Sequence, residues 1–244
     1  MKQIKSYDNI FFLSAIKPAD QPHFAEARQL AYQMVKKVKA FSDIEQRFPY
    51  LYFTDGATGA INSLIPKFDL VKMESDDYRY VRAFENVTTT NTMRAANARV
   101  QYFSYPYAGD GTFRPIPDTE QVVLDCSYMF ASNMEAQPLP SNVDYAIFSL
   151  SKSHNLSTLR CGWICSRIVI PEFHILQYHV DYGSSMHIAA LRDASRYEPN
   201  ELYLRHKDEL SERYKKAGAT EGATNLFGML SGDRVPYYML PSSN

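Results

Sequence analysis

Short apolar runs, separated by glycine, proline and polar residues, recur through the middle of the chain. Six of these runs are five or six residues long and predict β-strands at 50–54, 68–73, 100–105, 121–125, 145–150 and 162–166. Strands with two apolar faces are typical of a parallel sheet that is covered by helices on both sides. The pattern therefore predicts an α/β fold with a mostly parallel sheet sandwiched by helices.

Apolar residues at helical spacing occur before, between and after these runs. One helix is predicted at 20–41, where Asp20 can cap the first turn and Pro22 suits its geometry. Helices on both sides of the strands in sequence are what a sheet covered on both faces requires. Three further helices are predicted, at 60–64, 174–197 and 201–217.

Composition and charge argue against several classes of function. The chain has 244 residues, of which 45% are hydrophobic, and its formal net charge is -1. It lacks the basic excess that binds nucleic acid or anionic membranes, and no apolar stretch is long enough to span a bilayer. The three cysteines (Cys126, Cys161 and Cys165) and the six histidines show no metal-ligand spacing. We therefore expect a cytoplasmic protein with reduced thiols and no metal site.

Residues that bind anions or cations follow the ends of the predicted strands. The turn Asp55–Thr58 leads from a strand into a helix, where free N–H groups can hold a phosphate. Asp125 ends an apolar strand, Lys152 follows another, and Arg160 precedes the last. Each has an ordinary explanation alone, as a turn, a cap or a surface charge. In an open α/β sheet, however, ligands bind beyond the carboxyl ends of the strands.

Three segments together give the sequence a family resemblance. Thr54–Ala60, Leu124–Tyr128 and Ser149–Trp163 resemble the fold-type I enzymes that use pyridoxal 5′-phosphate (PLP), the class I/II aminotransferase superfamily. The last segment is the most specific, because a serine-flanked lysine is followed by Leu-Arg-Cys-Gly-Trp. Pro106–Gly111 lies where the alliinase and tryptophan aminotransferase-related group has Pro-Asn-Asn-Pro-Asp-Gly. That group is therefore the nearest by resemblance, which covers about residues 48–168.

The resemblance implies roles for particular residues. Lys152 would form the internal aldimine with PLP and act as the general base and acid. Asp125 would pair with the pyridinium nitrogen, and the Tyr128 hydroxyl would meet the ring oxygen O3′. Tyr78 would stack on the pyridine ring. The phosphate would be bound by Gly56, Ala57, Thr58, Ser149, Ser151 and Arg160.

The sequence departs from the family pattern in two ways. Ala108 occupies the position of the asparagine that hydrogen-bonds O3′, and alanine has no side-chain donor. The chain is also short, so it divides into an N-terminal segment and helix (1–45), a PLP-binding core (46–170) and a helical remainder with a reduced C-terminal small domain (171–244). Five arginines are candidates for the substrate carboxylate: Arg192, Arg196, Arg205, Arg213 and Arg234.

The resemblance leaves three functions open. An aminotransferase acting on an amino acid is the first, because transamination is the commonest outcome in the superfamily. A PLP-dependent C–S lyase or another biosynthetic enzyme is the second, favoured by Ala108 and the short chain. A non-catalytic PLP-fold binding protein is the third, although the joint presence of Asp125, Lys152 and Arg160 argues against it. The resemblance also implies a homodimer with the active site at its interface.

Overall fold

A seven-stranded sheet forms the centre of the molecule. The computed structural model describes residues 24–154, 156, 159–179, 185–236 and 239. The sheet contains β1 (Tyr50–Asp55), β2 (Val71–Met73), β3 (Val87–Thr89), β4 (Val100–Ser104), β5 (Gln121–Asp125), β6 (Val143–Ser149) and β7 (Cys161–Ser166). A separate hairpin contains β8 (Phe227–Leu230) and β9 (Asp233–Pro236). All six predicted strands are confirmed, whereas β3, β8 and β9 were not predicted.

The strand order makes the sheet mostly parallel. The order is β1-β7-β6-β5-β4-β2-β3, and β7 runs antiparallel to both of its neighbours. The other neighbouring pairs are all parallel. The carboxyl ends of β1, β2, β4, β5 and β6 therefore meet at one edge of the sheet, together with the start of β7. The predicted α/β fold class is confirmed.

Helices cover both faces of this sheet. They are α1 (Phe24–Lys36), α2 (Ile44–Arg47), α3 (Gly56–Leu64), α4 (Pro171–His174), α5 (Ser185–Ala194) and α6 (Glu201–Ala217), with a π-helical segment at Ile175–His179. The helix predicted at 20–41 is described only from Phe24, so Asp20 and Pro22 lie outside the described residues. The single regular helix predicted at 174–197 is wrong, because Ile175–His179 is π-helical and α5 ends at Ala194.

The alternation of side chains along each strand builds two apolar layers. On β1, Leu51 and Phe53 join the buried cluster that contains α1 and α5. Tyr52, between them, joins the other cluster with Ile61 and Leu64 of α3. Burial on both faces explains why the strands were recognisable as continuous apolar runs.

Side chains close the free edge of β1. Gln177 is buried, and its amide forms a pair of hydrogen bonds with Phe53, one from the backbone N–H (2.8 Å) and one to the carbonyl oxygen (2.9 Å). The Tyr178 hydroxyl accepts a hydrogen bond from Leu51 N–H at 3.1 Å, and His187 Nε2 lies 3.2 Å from the carbonyl oxygen of Thr54. These side chains satisfy backbone groups that an edge strand would otherwise expose.

The C-terminal part is attached to the loops beyond the carboxyl edge. Helix α6 ends at Gly218, whose φ of 68° is the left-handed conformation that glycine adopts without strain. Ala223 N–H donates to Gly111 O at 2.7 Å, and Asn225 N–H donates to Ala131 O at 3.1 Å. The division at residue 171 into a core and a reduced small domain stays a prediction.

Candidate active site

One cavity of about 230 Å³ lies beyond the carboxyl edge of the sheet. Nine of the ten predicted site residues line it: Ala57, Thr58, Tyr78, Asp125, Tyr128, Ser149, Ser151, Lys152 and Arg160. The tenth, Gly56, is buried under the Arg160 guanidinium group. Residues that are more than 100 positions apart in sequence are therefore brought together by the common direction of the strands.

The turn after β1 is tightly packed against the start of β7. Gly56 has a φ of 67°, which only glycine adopts readily, and α3 begins there. A Cβ on Gly162 would lie 2.6 Å from the Cα and carbonyl carbon of Gly56, so this close approach requires glycine at 162. Arg160 Nη2 donates to the carbonyl oxygen of Asp55 at 3.1 Å. Free N–H groups at the start of α3 and a guanidinium group thus lie together, an arrangement suited to a phosphate.

The loop after β6 carries the lysine and two serines. Ser149 is buried, and its hydroxyl accepts a hydrogen bond from Ser151 N–H at 3.2 Å. The two hydroxyl oxygens are 3.1 Å apart. Lys152 follows directly, with an exposed side chain that lines the cavity. The hydrogen bonds of Ser149 fix the turn from which Lys152 projects.

Asp125 is a buried carboxylate at the end of β5. Its Oδ2 accepts a hydrogen bond from the Tyr102 hydroxyl at 2.6 Å, and Oδ1 accepts bonds from the backbone N–H (2.9 Å) and the hydroxyl of Ser127. Burial raises the pKa of Asp125 above its ordinary value, against the lowering effect of these donors. In the described part of the chain it forms no ion pair. A buried anion of this kind is stabilised by a cationic ligand.

The two predicted tyrosines face the same cavity. Burial, followed by the charge of Asp125, raises the pKa of Tyr128 to about 12, and Arg234 acts in the opposite direction. Tyr78 is half-buried, and burial raises its pKa as well. Both hydroxyls are therefore protonated at neutral pH and able to donate a hydrogen bond. Ala108 also lines the cavity, where it presents only a methyl group.

Four further residues of the site were not predicted. Ser104 and Ser127 line the cavity, and Tyr102 and Asp77 lie behind it as hydrogen-bond partners of other site residues. Ser104 ends β4, so the rule that chemistry lies at the strand ends could have found it. The spacing of Tyr102 and Asp77 in the sequence carries no comparable signal.

The structure separates Arg234 from the other candidate arginines. Its Nη1 donates to the carbonyl oxygen of Ala108 at 2.8 Å, beside the cavity. The remaining four, Arg192, Arg196, Arg205 and Arg213, each form an ion pair with a carboxylate on α1, α5 or α6.

Comparison with known proteins supports the fold at low sequence identity. No protein-family model and no curated protein matches the sequence. Among solved structures, histidinol-phosphate aminotransferase from Sinorhizobium meliloti in complex with pyridoxal-5′-phosphate is 18% identical, with a TM-score of 0.54 over 82% of this chain and 69% of that one. An aspartate aminotransferase from Rhodobacter sphaeroides is 18% identical, with a TM-score of 0.56 over 79% and 65%.

A third similar structure has a different activity. L-threonine-O-3-phosphate decarboxylase from Porphyromonas gingivalis is 15% identical, with a TM-score of 0.52 over 78% of this chain and 74% of that one. The chain spans about two thirds to three quarters of these three proteins. Among the described residues, no group of side chains could hold a metal ion and no helix could cross a membrane.

The structural similarities show that the chain has the fold of the large domain of fold-type I aminotransferases.

Proposed function

We propose that this protein is a PLP-dependent enzyme that acts on an amino acid. The leading candidate for its reaction is transamination, which would make it an aminotransferase. The observation that carries the proposal is the convergence of Lys152, Asp125, Arg160 and the 56–58 turn on one cavity. An amine, a buried anion and a phosphate cradle are the three contacts that PLP needs. They come from separate segments, so their meeting does not follow from sequence proximity.

The chemistry of the described side chains fits the cofactor. The buried Asp125 carboxylate has hydrogen-bond donors on both oxygens, which stabilise its anionic form, but it has no cationic partner in the described part of the chain. Asp125 would therefore pair with the ring nitrogen and hold it in its cationic form. The start of α3, Thr58, Ser151 and Arg160 would hold the phosphate. When bound, PLP supplies an electron sink that stabilises negative charge at the substrate Cα.

Lys152 and Arg234 are the residues that would act on the substrate. The Lys152 amine would hold the cofactor, and its Nζ atom would carry the proton that is removed from the substrate Cα. Arg234, beside Ala108, would bind the substrate carboxylate by a forked pair of hydrogen bonds. The Tyr128 hydroxyl would donate to the ring oxygen O3′, where Ala108 offers no second side-chain donor.

Ala108 is the reason to consider a second reaction, β-elimination. Without an amide at this position, the balance between transamination and β-elimination rests on fewer protein contacts, so a C–S lyase is the second candidate. The two reactions differ in products: a keto acid with the amine form of the cofactor, or pyruvate with ammonia and a sulfur compound.

Two properties of the whole protein complete the proposal. A homodimer would cover the exposed apolar side chains that follow β7. A cytoplasmic location would keep Cys126, Cys161 and Cys165 reduced, and all three are free and buried in the structure.

A spectrum of the purified protein with added PLP tests the central proposal. We expect a visible absorption band from bound cofactor in the wild type, and its loss in Lys152→Ala. Lys39→Ala is the control: it changes an exposed lysine on a helical turn that is distant in sequence from Lys152, and it should keep the band. Borohydride reduction followed by peptide mapping should place the cofactor on Lys152. A wild-type protein that stays colourless, or a reduced cofactor on another lysine, would refute the assignment. A protein that holds PLP but turns over no amino acid would be the non-catalytic relative.

A further inference from the structure

A second carboxylate, Asp77, is fully buried behind the cavity. It lies in the loop after β2, directly before Tyr78. Its Oδ2 accepts a hydrogen bond from Ser104 N–H at 3.1 Å, while Oδ1 accepts one from Tyr78 N–H at 2.7 Å and another from the Ser104 hydroxyl. Within the described part of the chain, Asp77 forms no ion pair.

These bonds connect two parts of the cavity wall. Tyr78 carries the aromatic ring that lines one part of the cavity. Ser104 ends β4, and its hydroxyl accepts a hydrogen bond from Ala108 N–H at 2.6 Å. One carboxylate therefore holds, directly or through Ser104, both the Tyr78 backbone and the turn that contains Ala108.

Asp77 also contributes a negative charge at the same end of the site as Asp125. Burial, and more weakly the charge of Asp125 on β5, raise the pKa of Asp77 to about 6 against the effect of its donors. The titratable hydroxyls of Tyr102 on β4, Tyr107 in the following turn and Tyr128 after β5 lie in its field. Two buried carboxylates thus lie in this region, and in their ionised forms both stabilise a cation bound there.

We propose that Asp77 is a positioning residue of the cofactor site, which fixes the Tyr78 backbone and the Ala108 turn and adds a second buried negative charge to that of Asp125. This inference rests on the proposed binding of PLP. It assigns to Asp77 no contact with the cofactor, because its carboxylate lies behind the residues that line the cavity.

The proposal predicts a specific dependence of PLP affinity on pH. A cationic ring nitrogen favours the ionised carboxylate, so binding at low pH must expel the proton from Asp77. Because the pKa of Asp77 without ligand is about 6, this penalty is absent well above pH 6 and grows as the pH falls below it. Titration of the PLP phosphate affects wild type and variant alike.

Asp77→Asn and Asp76→Asn form a matched pair for the test. Both remove one charge without changing size, but the Asp76 side chain is exposed, where it accepts a hydrogen bond from the Tyr107 hydroxyl and pairs with Arg114. PLP affinity is measured between pH 5.5 and 8 by titrating the visible band, with visible circular dichroism to report the orientation of the bound ring.

We expect Asp77→Asn to weaken PLP binding about tenfold at pH 7.5, the effect of roughly one pKa unit of lost charge interaction. Its loss of affinity below pH 6 should be shallower than that of the wild type, and its visible circular dichroism should change. Asp76→Asn should match the wild type within about twofold. An Asp77→Asn variant with wild-type affinity, pH profile and dichroism would overturn the proposal while PLP binding itself stands. A wild type that binds no PLP would instead overturn the proposed function.

A second variant covers the case in which Asp77→Asn does not fold, as judged by far-ultraviolet circular dichroism. Ser104→Ala removes the hydroxyl bond to Asp77 and the acceptor for Ala108 N–H, but it keeps the backbone bond and the charge. We expect altered visible dichroism and weaker PLP binding. The loss of affinity at low pH should begin at a higher pH than in the wild type, because the Ser104 hydroxyl no longer lowers the pKa of Asp77. Unchanged dichroism and affinity in this variant would contradict the positioning role.

Discussion

Arg234 differs from the other arginines of the C-terminal third in what its guanidinium group reaches. It contacts the carbonyl oxygen of Ala108, which lines the cavity, and lies 5.5 Å from the centre of the Phe227 ring. The Phe227 ring in turn packs edge-on against Tyr128. One aromatic contact and one carbonyl hydrogen bond therefore hold this cation beside the site, although it comes from the β8–β9 hairpin.

Removing this cation should weaken substrate binding more than it slows the reaction. In Arg234→Ala, we expect the amino-acid concentration that half-saturates the change in the visible band to rise about 10- to 100-fold, because charge-assisted hydrogen bonds contribute about 1.5–3 kcal/mol. Arg205→Ala is the control, since Arg205 pairs with Glu201 on α6. An unchanged half-saturation in Arg234→Ala would move the carboxylate site elsewhere.

At the scale of single residues, the sequence could predict a role where the neighbouring residues in the chain form a recognisable motif. Lys152 between serines and Arg160 before Cys-Gly-Trp belong to one continuous segment, so the order of residues along the chain is enough to suggest their roles. Asp77 and Ser104 are 27 positions apart and meet only because β2 and β4 are neighbours in the sheet. Their contact depends on strand order, which local sequence does not specify.

The edge of β1 shows how one element depends on side chains from another. The π-helical segment Ile175–His179 turns Gln177 and Tyr178 toward β1, where they bond backbone groups of Phe53 and Leu51. Such segments are frequent where a helix must point a residue at a specific partner. The π-helical segment cannot be read from apolar spacing, and so the prediction of a regular helix at 174–197 failed there.

Gln177→Ala should destabilise the fold by about 1–3 kcal/mol, because it leaves the buried N–H and C=O of Phe53 without their amide partner. The free energy of unfolding is measured by urea denaturation of the protein with its cofactor. Gln137→Ala, at an exposed side chain, should change it by less than about 0.5 kcal/mol. Equal stability of the two variants would show that water replaces the amide at the β1 edge.

The strands were predictable to different degrees for a physical reason. The sheet buries both faces of its central strands, so each of them is a continuous apolar run that stands out from the surrounding sequence. Strand β3 has only three residues, two of them threonines, and β9 contains no buried residue, so their sequences resemble loops. Strand β8 is only four residues long and includes Gly228. Strand length and burial thus decided what the sequence could reveal.

At the scale of the whole molecule, several apolar side chains in the segment after β7 are exposed to solvent in the single chain. Ile168, Val169, Ile175 and Leu176 are 46, 39, 58 and 50% exposed. Leu176 also lines a second cavity together with Thr54, Asp55 and Gly59, which flank the Gly56 turn. A second copy that covers this surface would bury apolar area and would also press on the turn proposed to hold the phosphate.

We therefore expect the protein to sediment at twice the mass of one chain, and the double variant Ile175→Asp, Leu176→Asp to sediment as a single chain. Because the Gly56 turn adjoins this surface, the double variant should also lose PLP faster on dilution than the wild type. Leu204→Asp, at a leucine that is 58% exposed on α6, should leave mass and cofactor retention unchanged. Analytical ultracentrifugation monitored in the visible band follows mass and bound PLP together. A wild type that sediments as a stable, PLP-loaded single chain would contradict the dimer, and it would mean that one chain completes the site with its own residues.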